Sequence, residues 1–183
     1  MKKVVLVHGL GGTHELHWQK WLEKELVKRK VQVYFPLLPK PIHPIKKEWV
    51  NAIVRLVKEF DKDTVLVGHS LGVPTILRIL ERLKPQEKVG GVFLVAGFCR
   101  SLGLDQVENF VDNPFNWNKI KLHAKSFTVI YSDSDPFISV DESLYLSEKL
   151  GAKTILEKNG GHITAPDFGP YKKILELIEK ELN

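Results

Sequence analysis

The sequence predicts a three-layer α/β/α sandwich, in which helices cover both faces of a mostly parallel sheet of about six strands. Short runs of β-branched and other apolar residues alternate with longer segments whose apolar residues recur at helical spacing. The chain has 183 residues, of which 43% are hydrophobic and 27% are charged. This is an ordinary balance for a soluble protein, and the length fits one domain over residues 1–183.

Each predicted element follows from one of these patterns. The apolar runs predict strands at residues 4–7, 31–35, 64–67, 89–96, 127–131 and 154–157. Helical spacing predicts helices at about residues 17–29, 45–60, 76–83, 139–150 and 171–182. The prolines of residues 36–44 predict a loop, and residues 97–125 are predicted to be irregular with room for one short helix.

Charge and composition exclude several classes of function. The net charge is +5 and the pI is about 9.2, but lysines alternate with glutamates on predicted helical faces and form no basic strip with aromatic residues. Nucleic-acid binding is therefore not expected. No apolar run approaches the roughly 20 residues of a membrane span, so no membrane association is expected. The single cysteine cannot form an intramolecular disulfide, and a cytoplasmic location is expected.

The motif Gly68-His69-Ser70-Leu71-Gly72 matches the pattern G-x-S-x-G. In that pattern the serine stands on a sharp turn between a strand and a helix, where the flanking glycines leave room for close approach. An apolar strand precedes the motif, and Pro74 suits the first turn of the helix that follows. We interpret Ser70 as a nucleophile; the alternative is a tight glycine turn with an incidental serine.

A serine nucleophile needs a histidine base that is itself oriented by a carboxylate. The predicted fifth strand is followed by a loop with Asp133 and Asp135, and the sixth by Asn159-Gly160-Gly161-His162. Both loops lie where parallel α/β sheets place their sites. His162 is the predicted base. Asp135 is favoured over Asp133, because Pro136 restricts the turn directly after it.

The loop after the first strand, His8-Gly9-Leu10-Gly11-Gly12, matches neither a dinucleotide-binding nor a P-loop fingerprint. Its glycines suit a loop that turns backbone N–H groups inwards. The amides of Leu10 and Leu71 are the predicted oxyanion donors. His8, His14 and His17 are near one another in sequence, but no cysteine or carboxylate has matching spacing, so no metal and no cofactor are expected.

These motifs together resemble the α/β-hydrolases, and more narrowly the small serine hydrolases of the retinoblastoma-binding protein nine type, over essentially the full length. The resemblance is carried by His8-Gly9, His17-Trp18, Trp21-Leu22, the Ser70 pentapeptide, Asp135-Pro136-Phe137 and Gly161-His162. It implies a catalytic triad of Ser70, Asp135 and His162 in a minimal fold without a separate cap domain. It also implies carboxylesterase-like activity.

The sequence therefore predicts a serine hydrolase that cleaves small carboxylic esters through an acyl-enzyme, with a small-molecule acyl ester as its substrate. A thioesterase, a peptidase or amidase with the same triad, and a protein-binding module on a hydrolase fold are the alternatives. Trp18, Phe98, Trp117 and Phe137 either line an acyl pocket or anchor the core and loops. The oligomeric state, and whether residues 97–125 cover the site, are left open.

Overall fold

The apolar runs of the sequence pair into one parallel sheet. The computed structural model describes residues 1–12, 18–164 and 168–182. In that part of the chain the sheet has six strands, in the spatial order β2-β1-β3-β4-β5-β6, and every neighbouring pair is parallel. The strands are β1 (Lys3–Val7), β2 (Gln32–Tyr34), β3 (Thr64–His69), β4 (Val89–Val95), β5 (Ala124–Ser132) and β6 (Lys153–Glu157).

Helices cover both faces of this sheet. They are α1 (Trp18–Lys28), α2 (Lys46–Val57), α3 (Gly72–Leu80), α4 (Asp105–Glu108), α5 (Trp117–Leu122), α6 (Val140–Leu150) and α7 (Lys172–Leu182). Apolar residues of α1 and α7 pack in one buried cluster, and those of α2, α3, α5 and α6 pack in another. Alternate residues of β1 enter the two clusters, as successive side chains of a strand point to opposite faces. The predicted three-layer sandwich is confirmed.

The segment at residues 97–125 differs from its prediction. It contains the two short helices α4 and α5 rather than one, and β5 begins at Ala124, inside the segment that was predicted to be irregular. Ala124 pairs with Val89 of β4, so the ladder extends the strand through residues of low β propensity. Asn116 caps α5, because its side chain accepts the N–H of Lys119 at 3.0 Å. A single capping residue marks where a helix begins but does not predict its length.

The topology sets where a site can form. Because all strands run in the same direction, the loops that follow β1, β3, β4, β5 and β6 leave from one edge of the sheet. The predicted start of the first helix near His17 lies outside the described residues. Within the residues described, no helix is both long and apolar enough to cross a membrane.

Candidate active site

Ser70 lies on a strained turn between β3 and α3. Its φ angle is +53°, in the left-handed region that a residue with a side chain rarely adopts. The Ser70 N–H donates to the Val95 carbonyl at 2.9 Å, which ties the turn to the end of β4. A Cβ on Gly68 would come within 2.7 Å of the Gly72 carbonyl oxygen, and one on Gly72 would clash with the end of β1. Both glycines therefore permit the close approach that this turn requires.

The loop after β1 packs directly against the serine. A Cβ on Gly9 would lie 2.9 Å from the Ser70 Cβ, so only glycine fits here without a shift. Leu10 and Leu71 both line the cavity next to Ser70. Among the residues that the structure describes, neither of their backbone N–H groups donates to a protein acceptor. Both residues thus lie in the wall beside Ser70 with backbone N–H groups that the described fold does not use.

Asp135 is the carboxylate that contacts the histidine. Its Oδ2 lies 2.8 Å from Nδ1 of His162, and its side chain is almost fully buried. Its Oδ1 accepts the backbone N–H groups of Phe137 at 2.9 Å and Ile138 at 3.0 Å, which holds the carboxylate in one orientation. Asp133 instead accepts the N–H of Asn159 at 2.7 Å. The structure brings Asp135 to His162 and assigns Asp133 to the support of the neighbouring loop.

Hydrogen bonds join the loop that follows β5 to the loop that follows β6. The Ser132 hydroxyl accepts the N–H of Gly160 at 3.0 Å, and the Ser134 hydroxyl accepts the N–H of Gly161 at 3.1 Å. Together with the bond from Asn159 to Asp133, they link the two loops over consecutive residues. These bonds hold the loop that carries the carboxylate against the loop that carries the imidazole.

Buried donors hold the backbone around His162. Nε2 of His69 donates to the His162 carbonyl at 2.9 Å. Nε1 of Trp18 donates to the next carbonyl, that of Ile163, also at 2.9 Å. Ile163 is fully buried with a φ angle of +51°, a strained conformation that these contacts stabilise. Trp18 is therefore an anchor of the His162 loop, and the structure does not bring it to the cavity wall.

Ser70 and His162 line the same cavity, whose volume is about 230 Å³. Apolar side chains form most of its wall: Phe98, Leu102, Leu104, Val107, Phe137 and Ile138. Phe98 and Phe137 thus lie at the position expected of pocket residues. Trp117 does not, because it packs on Phe115 at a ring-centroid distance of 5.2 Å and lines a different cavity. The side chains at 98–107 show that the segment after β4 forms one wall of the site.

His8 is buried and has both ring nitrogens bonded to backbone groups. Nδ1 donates to the Gly9 carbonyl at 2.8 Å, and Nε2 accepts the Leu38 N–H at 3.1 Å. This pattern corresponds to a neutral imidazole that braces the loop after β1. His14 and His17 lie outside the described residues.

Sequence reasoning missed the supporting roles of His69, Ser132 and Ser134. Ser132 and Ser134 alternate with Asp133 and Asp135 directly after a strand. Short hydroxyl and carboxylate side chains in such a loop favour hydrogen bonds to nearby N–H groups. The sequence therefore indicated a hydrogen-bonded loop here, but not its partners. The partner of His69 is 93 positions away in the chain, and no local pattern identifies it.

Comparison with known proteins identifies the family of the chain. Residues 4–180 match the family model of the serine hydrolases. The chain is 34% identical to YdeN of Bacillus subtilis over 162 residues, which cover 88% of this chain and 85% of YdeN. It is 27% identical to the serine hydrolase RBBP9 of Rattus norvegicus, over 96% of this chain and 95% of that protein.

Solved structures show the same architecture. The ydeN gene product of B. subtilis superposes with a TM-score of 0.94 and 31% identity, over 99% of this chain and 98% of that chain. Est1E of Butyrivibrio proteoclasticus, solved with ferulic acid bound, has a TM-score of 0.75 and 12% identity, over 98% of this chain and 87% of that chain. At this low identity, the match to Est1E shows a shared fold and nothing more. The resemblance seen in the sequence motifs is confirmed, and the chain belongs to the serine hydrolase family.

Proposed function

We propose that the protein hydrolyses carboxylic esters through an acyl-enzyme formed on Ser70. The observation that carries the proposal is that Ser70 and His162 line one cavity while Nδ1 of His162 lies 2.8 Å from Oδ2 of Asp135. These are the three residue types of a Ser-His-Asp triad, with the carboxylate on the imidazole nitrogen that a triad requires. Membership of the serine hydrolase family supports the hydrolytic class of the reaction.

The proposal gives each side chain a role. When Nδ1–H donates to Asp135, Nε2 of His162 carries the lone pair and acts as the base. Nε2 takes the proton of the Ser70 hydroxyl as Oγ attacks the ester carbonyl carbon. The imidazolium then protonates the departing alcohol oxygen, which leaves the acyl group bonded to Oγ. Water, deprotonated by the same nitrogen, attacks this acyl-enzyme, and Ser70 recovers its proton as the acid leaves.

The amides of Leu10 and Leu71 are the proposed donors to the oxyanion. Both residues line the cavity beside Ser70, and their N–H groups have no protein acceptor in the described part of the chain. Donors placed where negative charge develops contribute about 3 to 4 kcal/mol each to the stability of the transition state. Gly9 packs so closely on Ser70 that a Cβ at position 9 would not fit. This close approach places the loop beside the serine and supports the assignment of Leu10.

A serine-directed fluorophosphonate tests the proposal. The wild-type protein and Ser70→Ala are incubated with the probe, and the mass of each intact protein is measured, with circular dichroism as the check of folding. We expect one phosphonyl adduct on the wild type, formed with loss of fluoride, and none on Ser70→Ala. A folded wild-type protein that gains no adduct, and that hydrolyses no activated ester, would contradict the proposal and favour the binding module.

Matched acyl donors separate the hydrolysis of esters and thioesters from amide hydrolysis by the same triad. An ester, a thioester and an anilide of one short acyl group are compared by kcat/KM on the same preparation. We expect the ester and thioester to be cleaved and the anilide to be cleaved far more slowly, because amides are harder to cleave and the described residues that line the cavity include no carboxylate to hold an amine. Faster turnover of the anilide would instead assign the protein as an amidase.

A further inference from the structure

The cavity beside Ser70 has a buried floor and an exposed rim. Phe98, Val107 and Ile138 are almost fully buried and form the floor. Leu104 and Phe137 form the rim, with 47% and 64% of their surface exposed. An apolar group placed on this floor is covered on one side by the protein and bordered by apolar side chains towards solvent. The site is thus shaped to remove a hydrocarbon group from water.

The only ionisable side chain along this cavity, among the described residues that line it, is His162. His162 is already engaged with Asp135. A carboxylate or an ammonium group on the acyl chain would therefore lose its hydration without gaining a charged partner, which is unfavourable. The chemistry of the wall selects an uncharged acyl group.

The wall that limits the cavity is anchored at both ends. At one end, Oε1 of Glu142 on α6 accepts the N–H groups of Cys99 at 2.7 Å and Arg100 at 3.0 Å. At the other end, the Asn109 side chain accepts the Lys46 N–H at 2.7 Å and donates to the Pro44 carbonyl at 3.1 Å. The intervening residues carry Leu102, Leu104 and Val107 into the cavity. A wall held in this way sets an upper limit to the group that the cavity accepts.

The volume indicates the size of that group. A protein cavity of about 150 Å³ holds benzene, or about 25 Å³ for each carbon atom. At this ratio the cavity volume of about 230 Å³ accommodates about nine non-hydrogen atoms. Part of this space is needed for the ester group itself, which leaves room for a short or medium hydrocarbon chain.

We infer that the cavity is an acyl-binding site selective for uncharged, apolar acyl groups of about four to eight carbons. This inference rests on the proposed esterase function and assigns its substrate class. Each methylene that becomes buried should raise kcat/KM roughly three- to fourfold until the cavity is full. Beyond that length the chain no longer fits inside the anchored wall, so kcat/KM falls.

The test is a series of p-nitrophenyl esters from acetyl through butanoyl, hexanoyl, octanoyl and dodecanoyl to hexadecanoyl, measured below their aggregation limits. We expect kcat/KM to be highest between butanoyl and octanoyl. An isosteric pair tests the charge: the 4-methylpentanoyl ester should exceed the succinyl monoester by about 100-fold or more. Highest turnover of acetyl, a steady rise to hexadecanoyl, or equal turnover of the isosteric pair would overturn the inference.

Two variants with matched controls place the selectivity at this wall. Leu102 and Leu177 are both half-buried, but only Leu102 lines the cavity. Leu102→Ala should shift the optimum to longer chains, with the ratio of kcat/KM for dodecanoyl to that for butanoyl rising about 10-fold. Leu177→Ala should leave this ratio unchanged.

A second pair tests the rim. Leu104 and Leu144 are 47% and 46% exposed, and only Leu104 lines the cavity. Leu104→Trp should shift the optimum to shorter chains, unlike Leu144→Trp.

These outcomes separate failure of the inference from failure of the proposed function. If no ester in the series is hydrolysed and Ser70 gains no fluorophosphonate adduct, the esterase function is wrong. If hydrolysis depends on Ser70 but the chain-length profile is flat, or is moved as much by the control variants as by the wall variants, the esterase function stands and the acyl selectivity is wrong.

Discussion

Two cavities flank the segment that follows β4, and each contains a residue type that can act as a nucleophile. Ser70 lines the first cavity together with His162. Cys99 lines the second, whose volume is about 390 Å³, with aromatic neighbours that include Trp117 and Tyr145. A free thiol is intrinsically the better nucleophile. Of the described residues that line the two cavities, the one imidazole lies beside the serine, whereas the thiol lies against the carboxylate of Glu142.

The difference lies in the neighbours of the two residues. Burial raises the pKa of the Cys99 thiol, and the negative charge of Glu142 raises it further. A raised pKa keeps the thiol protonated at neutral pH and therefore unreactive. Ser70, in contrast, shares its cavity with an imidazole oriented by Asp135. The comparison teaches that the surroundings of the two residues, rather than their intrinsic nucleophilicity, favour Ser70 as the proposed nucleophile.

The largest expected effect separates the two nucleophiles directly. Ser70→Ala should lower kcat/KM for a p-nitrophenyl ester by about 10⁴- to 10⁶-fold, because the attacking atom is removed. Cys99→Ala should change kcat/KM by less than about twofold, while the cavity that it leaves lowers the free energy of unfolding by about 1 kcal/mol. Both variants are measured by steady-state kinetics and urea unfolding. Equal losses of activity in the two variants would remove the distinction between the cavities.

A second substitution tests the orientation of the base. Asp135→Asn retains an Oδ1 acceptor for the N–H groups of Phe137 and Ile138, but presents an amide N–H to Nδ1 of His162. This favours the wrong imidazole tautomer, so kcat should fall by about 10²- to 10⁴-fold. Asp133→Asn, which also retains its Oδ1 acceptor, should stay within about twofold of the wild type. The reverse ranking in a kinetic assay would assign the acid to Asp133.

The smallest expected effect concerns the pH dependence of stability. Because the pKa of Cys99 is raised in the folded state, the unfolded chain loses the thiol proton first as pH rises. The thiol's contribution to the free energy of unfolding is fully present below pH 8.5, the approximate pKa of a thiol in the unfolded chain, and is lost progressively above it. Between about pH 8 and pH 10 the wild type should lose up to about 2 kcal/mol more stability than Cys99→Ala. Urea unfolding at both pH values measures this difference; parallel losses would show that the thiol is not shielded.

Much of this molecule was predictable from local patterns. The strands, most helices and the order of motifs follow from apolar periodicity and from glycine and proline positions, because these act over a few residues. The segment at residues 97–125 was harder to predict, since α4 and α5 are short and β5 is extended by its ladder with β4. In the candidate site, the choice of Asp135 over Asp133 was favoured by Pro136 in the sequence. The contact with His162 then distinguishes the two carboxylates in space.

The sequence by itself determined the fold class and the candidate catalytic residues. When helices alternate with strands, the sheet is parallel and the ends of its strands meet at one edge, so the loops with these residues could be placed together. Tertiary structure alone decided which side chains share a cavity. Trp18 anchors the His162 loop, Trp117 lines the other cavity, and Phe98 and Phe137 line the one beside Ser70. All four are aromatic residues near predicted loops, and only packing between elements distant in the chain separates an anchor from a pocket wall.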